Sequence, residues 1–234
     1  MKTYSQQANN TIKKGNLKKD SPFCIFSLQL NVTIPDSSTV NSKRYISLLA
    51  LLLPALFSFQ TGKGQSLTFD SKSSPDIDFT FNTIEKYVNG IIIPQALELN
   101  VNAIGSDWDI YIGATTTAAG SFNVTNTYST TGLTPPPVSI LQARIYNGSN
   151  TPQSGSGFFP LTDVATPTYI IGTNGNDATV NCADPDPTGT NSPGTYVTDP
   201  ECYKFKIDLK LVPGLNYRPG LYTLRVDFII IEDL

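Results

Sequence analysis

The fold is decided by residues 203–231, which read YKFKIDLKLVPGLNYRPGLYTLRVDFIII. Apolar and polar residues alternate through the first nine positions and again after the second Pro-Gly pair. A period of two residues is typical of a strand with one buried face and one face in water. The sequence therefore predicts two long strands, and the short Pro/Gly connection predicts that they pair as an antiparallel hairpin. The predicted inward residues are Tyr203, Phe205, Ile207, Leu209, Leu211, Tyr222, Leu224, Val226, Phe228 and Ile230.

A second alternating pair lies upstream. Leu97, Leu99, Val101 and Ala103 are predicted to face inward, and Gly105 and Ser106 turn the chain into a strand that carries Trp108. These two strands are also predicted to form a hairpin. Trp108 has two interpretations: a core side chain, or an exposed platform on which a sugar ring stacks.

The composition favours a single antiparallel β-sandwich over residues 65–234. The chain has 234 residues with 17 glycines and 17 prolines, and no long segment has a helical period. It contains no histidine, which removes the commonest general base and transition-metal ligand. We therefore expect a protein that is not an enzyme, with no catalytic residues and no cofactor.

Residues 43–64 are predicted to be a cleaved signal peptide. Lys43 and Arg44 precede the apolar run YISLLALLLPALFSF, which is short for a membrane span of ~20 residues. Cleavage is predicted after Gly64, or one residue later, which leaves no membrane span in the mature chain. A buried core helix and a retained anchor are the alternatives. The expected location is the periplasm, the cell surface or the extracellular space.

Residues 1–42 precede this signal and are polar and rich in Lys, Asn and Ser. Two interpretations are open: a disordered leader, or an extension of the gene model over residues 1–39. Cys24 lies in this segment, apart from the predicted domain. From residue 65 onward the chain carries 8 Lys/Arg against 17 Asp/Glu, so nucleic-acid binding is not expected.

The longest irregular insertion spans residues 173–202 and contains Cys182 and Cys202. In an oxidising compartment the simplest pairing is Cys182 with Cys202, a bridge that contributes ~3 kcal/mol to stability; intermolecular pairing and free thiols are the alternatives. Asp177, Asp184 and Asp186 are weak calcium candidates, because calcium prefers oxygen ligands. They lack the spacing of an EF-hand, so a solvated acidic loop is the default expectation.

The C-terminal VPGLNYRPGLYTLRVDFIII resembles the closing strands of bacterial cell-surface β-sandwich proteins, including fimbrial subunits, spore-coat-U-like proteins and WxL-type surface domains. The resemblance covers about 30 residues of the chain. Its Gly-Leu-Tyr, ending at Tyr222, is similar to the tyrosine corner of immunoglobulin-like sandwiches, with Tyr217 as the rival. The resemblance implies an immunoglobulin-like sandwich at the cell surface.

Two functions from different classes follow. The first is an exported structural or adhesive surface protein, such as a fimbrial-type subunit, whose partners are further copies or other surface proteins. The alternative is a secreted carbohydrate-binding module, with glycans as partners and with Trp108 and the loop tyrosines as the stacking residues.

N-terminal sequencing of the protein tests the predicted processing. We expect the exported form to begin at Gln65, or one residue later, because small residues precede the predicted cleavage site. Mass spectrometry of the precursor provides the control. A peptide that spans Lys2 to Lys19 would contradict the gene-model extension.

Overall fold

The computed structural model of the protein describes residues 24–33, 66–73, 76–153, 157–171 and 191–233. Within them lie two α-helices, α1 (Ile84–Asn89) and α2 (Pro200–Tyr203), and a 3-10 turn at Val138–Ile140. The strands of the described residues are β1 (Cys24–Thr33), β2 (Ser66–Ser73), β3 (Asp76–Phe81), β4 (Ile91–Ile104), β5 (Asp107–Thr115), β6 (Asn123–Thr127), β7 (Leu141–Asn147), β8 (Pro152–Gln153), β9 (Phe159–Pro160), β10 (Thr168–Tyr169), β11 (Gly194–Thr195), β12 (Lys204–Leu211) and β13 (Gly220–Asp233).

The strands form two sheets. The first sheet has the order β10-β5-β13-β1-β3, and β6 pairs with the start of β13. The second sheet has the order β11-β4-β12-β7-β8, with β2 also paired to β4 and β9 to β7. Every pairing between these strands is antiparallel except that of β1 with β13. The chain is therefore all-β with mainly antiparallel sheets, as predicted.

The two sheets pack against each other through an apolar core. Trp108 of β5, in the first sheet, lies edge-on to Phe205 of β12, in the second, with 6.0 Å between ring centroids. The prediction of inward faces is confirmed, because all of these side chains are buried: Leu97, Leu99, Val101, Ala103, Trp108, Tyr203, Phe205, Ile207, Leu209, Leu211, Tyr222, Leu224, Val226, Phe228 and Ile230.

Both predicted hairpins are wrong. β12 pairs with β4 and β7 in the second sheet, whereas β13 pairs with β5, β6 and β1 in the first. β4 and β5 are likewise in different sheets. The physical reason is that alternation specifies which face of a strand is buried but not which strand lies beside it. The short connections cross from one sheet to the other over the core instead of returning along the same sheet.

The prediction that residues 1–42 are disordered fails for Cys24–Thr33. These ten residues form β1, inside the first sheet. Their sequence, CIFSLQLNVT, places Phe26, Leu28, Leu30 and Val32 at alternate positions, which is the same strand pattern as in the domain itself. Because residues 1–42 are polar as a whole, the prediction of disorder overlooked this short alternating run. The remaining leader and the predicted signal peptide lie outside the described residues.

The carboxylate of Asp208 stabilises a β-bulge in β4. The register between β12 and β4 shifts between Ile207 and Leu209, so Asp208 faces an expanded part of β4. The Asp208 carboxylate accepts a hydrogen bond of 2.8 Å from the backbone N–H of Gln95, whose φ of 48° is unusual for a residue other than glycine. It also pairs with Arg144 at 2.7 Å. Asp208 is 5% exposed, so these two donors take the place of water.

We predict that Asp208→Ala lowers the free energy of unfolding by about 2–4 kcal/mol, because it leaves the Gln95 N–H and the Arg144 guanidinium without their acceptor. Urea denaturation of the full chain measures the change. Glu98→Ala is the matched control, since the Glu98–Lys204 pair is long, at 3.9 Å, and partly exposed; we expect a loss of about 0.5 kcal/mol or less. Equal losses for the two variants would contradict this account of the bulge.

Candidate functional site

The most unusual feature of the described structure is the position of β1. It runs parallel to β13, from Ile25 opposite Leu221 to Thr33 opposite Ile229. On its other side it runs antiparallel to β3, from Cys24 opposite Phe81 to Gln29 opposite Asp76. We call the space between β3 and β13 the strand slot. An N-terminal segment therefore fills a gap between strands that belong to the predicted domain.

The strand slot has an apolar floor. Leu28 of β1 lies in register with Leu224 of β13 and Ile77 of β3, and all three side chains are buried. Phe26, Leu30 and Val32 hold alternate register positions on either side of Leu28, opposite Tyr222, Val226 and Phe228 respectively. An occupant of the slot thus has four apolar residues spaced two apart, which fits a slot over a hydrophobic core.

Among the described residues, β3 has β1 as its sole strand partner. Its core side chains are Ile77, Phe79 and Phe81, all buried. The Phe81 ring packs at 5.4 Å from that of Tyr87 in α1, just beyond the strand. Without β1, β3 has no strand partner among the described residues, and the β13 edge that faces β1 is unpaired there.

Trp108 occupies the core. Its side chain is 0% exposed, and its indole N–H donates to the Ser192 carbonyl at 3.0 Å. Phe205 and Tyr203 pack against it, with ring centroids 6.0 and 6.1 Å away. Of the two interpretations of Trp108, the structure places it as a core side chain, because a buried ring has no face to offer to a sugar.

Tyr203, beside Trp108, is a neutral hydroxyl donor. Burial raises the pKa of its phenol above the ordinary value of 10.0, and the carboxylates of Asp199 and Asp107 raise it further. The hydroxyl donates to the Pro193 carbonyl at 3.1 Å. Gly194 lies so close to this ring that a Cβ there would fall 2.1 Å from it. These contacts anchor Pro193 and Gly194, in the described part of the irregular insertion.

Tyr222 makes the contact expected of a tyrosine corner. Its side chain is buried, and its hydroxyl donates to the carbonyl of Arg218, four residues upstream, at 2.7 Å. Tyr217, the rival, instead bridges to Leu133 through the backbone. This hydrogen bond ties Tyr222 to Arg218 where the chain enters β13, and β13 is one wall of the strand slot.

The remaining predicted site residues lie in or beside the insertion. Cys202 is buried in α2, whereas Cys182 lies outside the described residues, so their pairing stays a prediction. Asp177, Asp184 and Asp186 also lie outside the described residues. In the part of the chain that the structure describes, no three His, Cys, Asp or Glu side chains are grouped to hold a metal ion. No helix in that part is long and apolar enough to cross a membrane.

Comparison with known proteins gives no family for this chain: no protein-family model matches it, and no curated protein matches its sequence.

We predict that Leu28→Ala destabilises the full chain by about 2–4 kcal/mol, because it leaves a cavity in the core next to Leu224 and Ile77. Thermal or urea unfolding measures the loss. Leu215→Ala is the matched control, since that leucine is 63% exposed and its truncation should cost about 0.5 kcal/mol or less. If Leu28→Ala were as mild as the control, β1 would not be a member of the sheet in solution.

Proposed function

We propose that the protein is an exported, non-catalytic structural or adhesive protein of the cell surface, a fimbrial-type subunit whose copies associate by strand addition at the strand slot. The observation that carries this proposal is that β1, which completes the first sheet, comes from the segment ahead of the predicted signal peptide. The domain and the strand that completes it thus lie on opposite sides of a predicted cleavage site.

Both interpretations of the N-terminal segment have the same consequence. If cleavage follows Gly64, β1 is removed with the leader; if residues 1–39 are a gene-model extension, β1 is never made. In either event the exported domain over residues 65–234 lacks β1. Its slot then presents an unpaired stretch of β13 backbone above apolar side chains. A long apolar edge of this kind is a template for pairing with another chain.

The chemistry of β1 defines the kind of strand that can replace it. The occupant is an extended segment of about nine residues, with apolar side chains at alternate positions, because β1 pairs with β13 over nine registered positions. Main-chain hydrogen bonds to β13 and β3 supply affinity for any extended chain, and the apolar positions supply selectivity. A segment of a neighbouring subunit with this pattern would link the two subunits.

Separate observations support the immunoglobulin-like fold, the oxidising location and the choice of self-association over glycan binding. The Tyr222 contact with Arg218 supports an immunoglobulin-like sandwich. The predicted Cys182–Cys202 bridge fits an oxidising location such as the periplasm, the cell surface or the extracellular space. The carbohydrate-binding alternative has lost Trp108 as a stacking residue, since this side chain is buried. We therefore propose self-association in preference to glycan binding.

The test uses the exported protein, purified from a bacterial host that processes the leader. We expect concentration-dependent filaments by electron microscopy. We also expect that a fluorescent peptide of residues 25–33, IFSLQLNVT, binds the exported protein and stops filament growth, because it fills the slot.

The control peptide carries Leu28→Asp. An ionised carboxylate at this apolar position costs several kcal/mol, so its binding, measured by fluorescence anisotropy, should be weaker by about 100-fold or more. Equal binding of the two peptides would overturn the proposed function. So would an exported protein that stays monomeric and binds neither peptide.

A further inference from the structure

Asp227 is a buried carboxylate on the outer face of the first sheet. Its neighbours in β13, Val226 and Phe228, lie in the core, so Asp227 faces the other side of the sheet. The outer face of an antiparallel sheet is commonly in contact with water, yet Asp227 is only 2% exposed. A carboxylate that is removed from water requires hydrogen-bond donors or cations around it.

The donors around Asp227 converge on one of its two oxygens. The Thr115 hydroxyl donates to Oδ2, and the Arg225 guanidinium donates to the same oxygen from Nε and Nη2, at 3.2 Å each. The second oxygen, Oδ1, lies 2.9 Å from Arg225 Nε, so its charge is paired. Among the described residues, however, no group donates a hydrogen bond to Oδ1. Asp227 therefore has an acceptor available for a further donor.

The strand slot is the side of Asp227 from which such a donor can come. On β5 the residue opposite Asp227 is Gly113, which has no side chain. Val164 lies over this glycine, since a Cβ added to Gly113 would fall 2.8 Å from the Val164 Cα. On the other edge of β13 the residue opposite Asp227 is Asn31 of β1. Position 31 of the slot occupant is thus the neighbour of Asp227 across the strand pair.

The strand slot is acidic along the same face. Ser27 and Gln29 of β1 are in register with Asp78 and Asp76 of β3, and both aspartates are exposed. Positions 27, 29 and 31 alternate with the apolar positions of the occupant, and we call them its outward positions. Among the described strand residues they are bordered by three carboxylates and one arginine. β1 has a serine and two amides at these positions and no acidic residue.

We propose that Asp227 selects the outward chemistry of the strand that enters the slot. A strand with a hydrogen-bond donor at position 31, such as Asn, Gln, Lys or Arg, satisfies Oδ1 of Asp227. A strand with Asp or Glu there places two carboxylates side by side in a buried setting, which is unfavourable. Discrimination of this kind works by rejecting wrong partners. The inference rests on the proposed function and adds to it a charge requirement on the added strand.

The same requirement protects the strand slot from acidic strands of the domain itself. β3 and β5 alternate apolar residues with aspartates, at Asp76 and Asp78 in β3 and at Asp107 and Asp109 in β5. Their apolar pattern alone would suit the strand slot of another copy. Their aspartates, however, would take the outward positions, beside the carboxylates that border the slot, and like charges in register are destabilising. The acidic border thus discriminates the added strand from β3 and β5.

Binding of variant peptides to the exported protein tests this selection. The reference is the peptide of residues 25–33, measured by fluorescence anisotropy. We expect Asn31→Lys to bind at least as tightly as the reference. Asn31→Asp should bind weaker by about tenfold or more, because a second carboxylate then lies opposite Asp227. Thr33→Asp is the matched control, since it adds the same charge opposite Ile229, and it should bind within about threefold of the reference.

The Asp227→Asn protein distinguishes selection by charge from a general effect on the peptide. An amide at position 227 does not repel a carboxylate, so the penalty of Asn31→Asp should fall to about threefold or less. The preference for Asn31→Lys over Asn31→Asp should shrink with it. The same penalty in the wild-type and Asp227→Asn proteins would overturn the inference.

The full chain provides a second measurement that does not depend on export. Because β1 occupies the slot there, Asn31→Asp should lower the urea midpoint of unfolding, whereas Asn31→Lys should not. In the Asp227→Asn background the two midpoints should converge. If the exported protein binds none of the peptides, the proposed function fails, and the full-chain midpoints still decide the role of Asp227. Equal midpoints for Asn31→Asp and Asn31→Lys in the otherwise unchanged full chain would contradict that role.

Discussion

The structure depends on the pairing of both edges of β13. This strand is 14 residues long, its inward side chains from Tyr222 to Ile230 lie in the core, and it has partners on both sides. On one side β5 and β6 come from the domain itself. On the other side the partner is β1, from the N-terminal segment. An unpaired edge on a strand this long and this apolar is a template for pairing with another chain, and one edge of β13 depends on a segment predicted to be removed.

The strand character and the buried faces of the domain were predictable from the sequence. Alternation identified the inward residues of β4, β5, β12 and β13, because burial of one face leaves a period of two in the chain. The hydrogen bond from the Tyr222 hydroxyl to the backbone was also predictable, since its acceptor, the Arg218 carbonyl, lies only four residues upstream. Alternating burial and a hydrogen bond across four residues both depend only on residues that are close together in the sequence.

The pairing of strands and the site itself were not predictable in the same way. Whether β12 returns along its own sheet or crosses to the other is decided by the packing of two sheets, which involves residues far apart in sequence. β1 was missed although Phe26, Leu28, Leu30 and Val32 alternate, because a single short run inside a polar leader has no local sign of a distant partner. The bulge at Asp208 likewise depends on Gln95, 113 residues away.

The strand slot distinguishes the full chain from the exported domain that we propose. In the full chain, β1 fills the strand slot and completes the first sheet. In the exported domain that we propose, the same slot would be open, and an added strand would restore the sheet.

The most direct test of the central claim is amide hydrogen exchange of β13 in the full chain and in the exported domain, read by mass spectrometry. Leu221 to Ile229 face β1 on one edge, and backbone amides alternate between the two edges of a strand. The account predicts strong protection throughout this stretch in the full chain. It predicts loss of protection for roughly half of these amides in the exported monomer, and recovery when the peptide of residues 25–33 is added. Equal protection in the full chain and the exported monomer would show that β13 does not depend on β1, and would contradict the account.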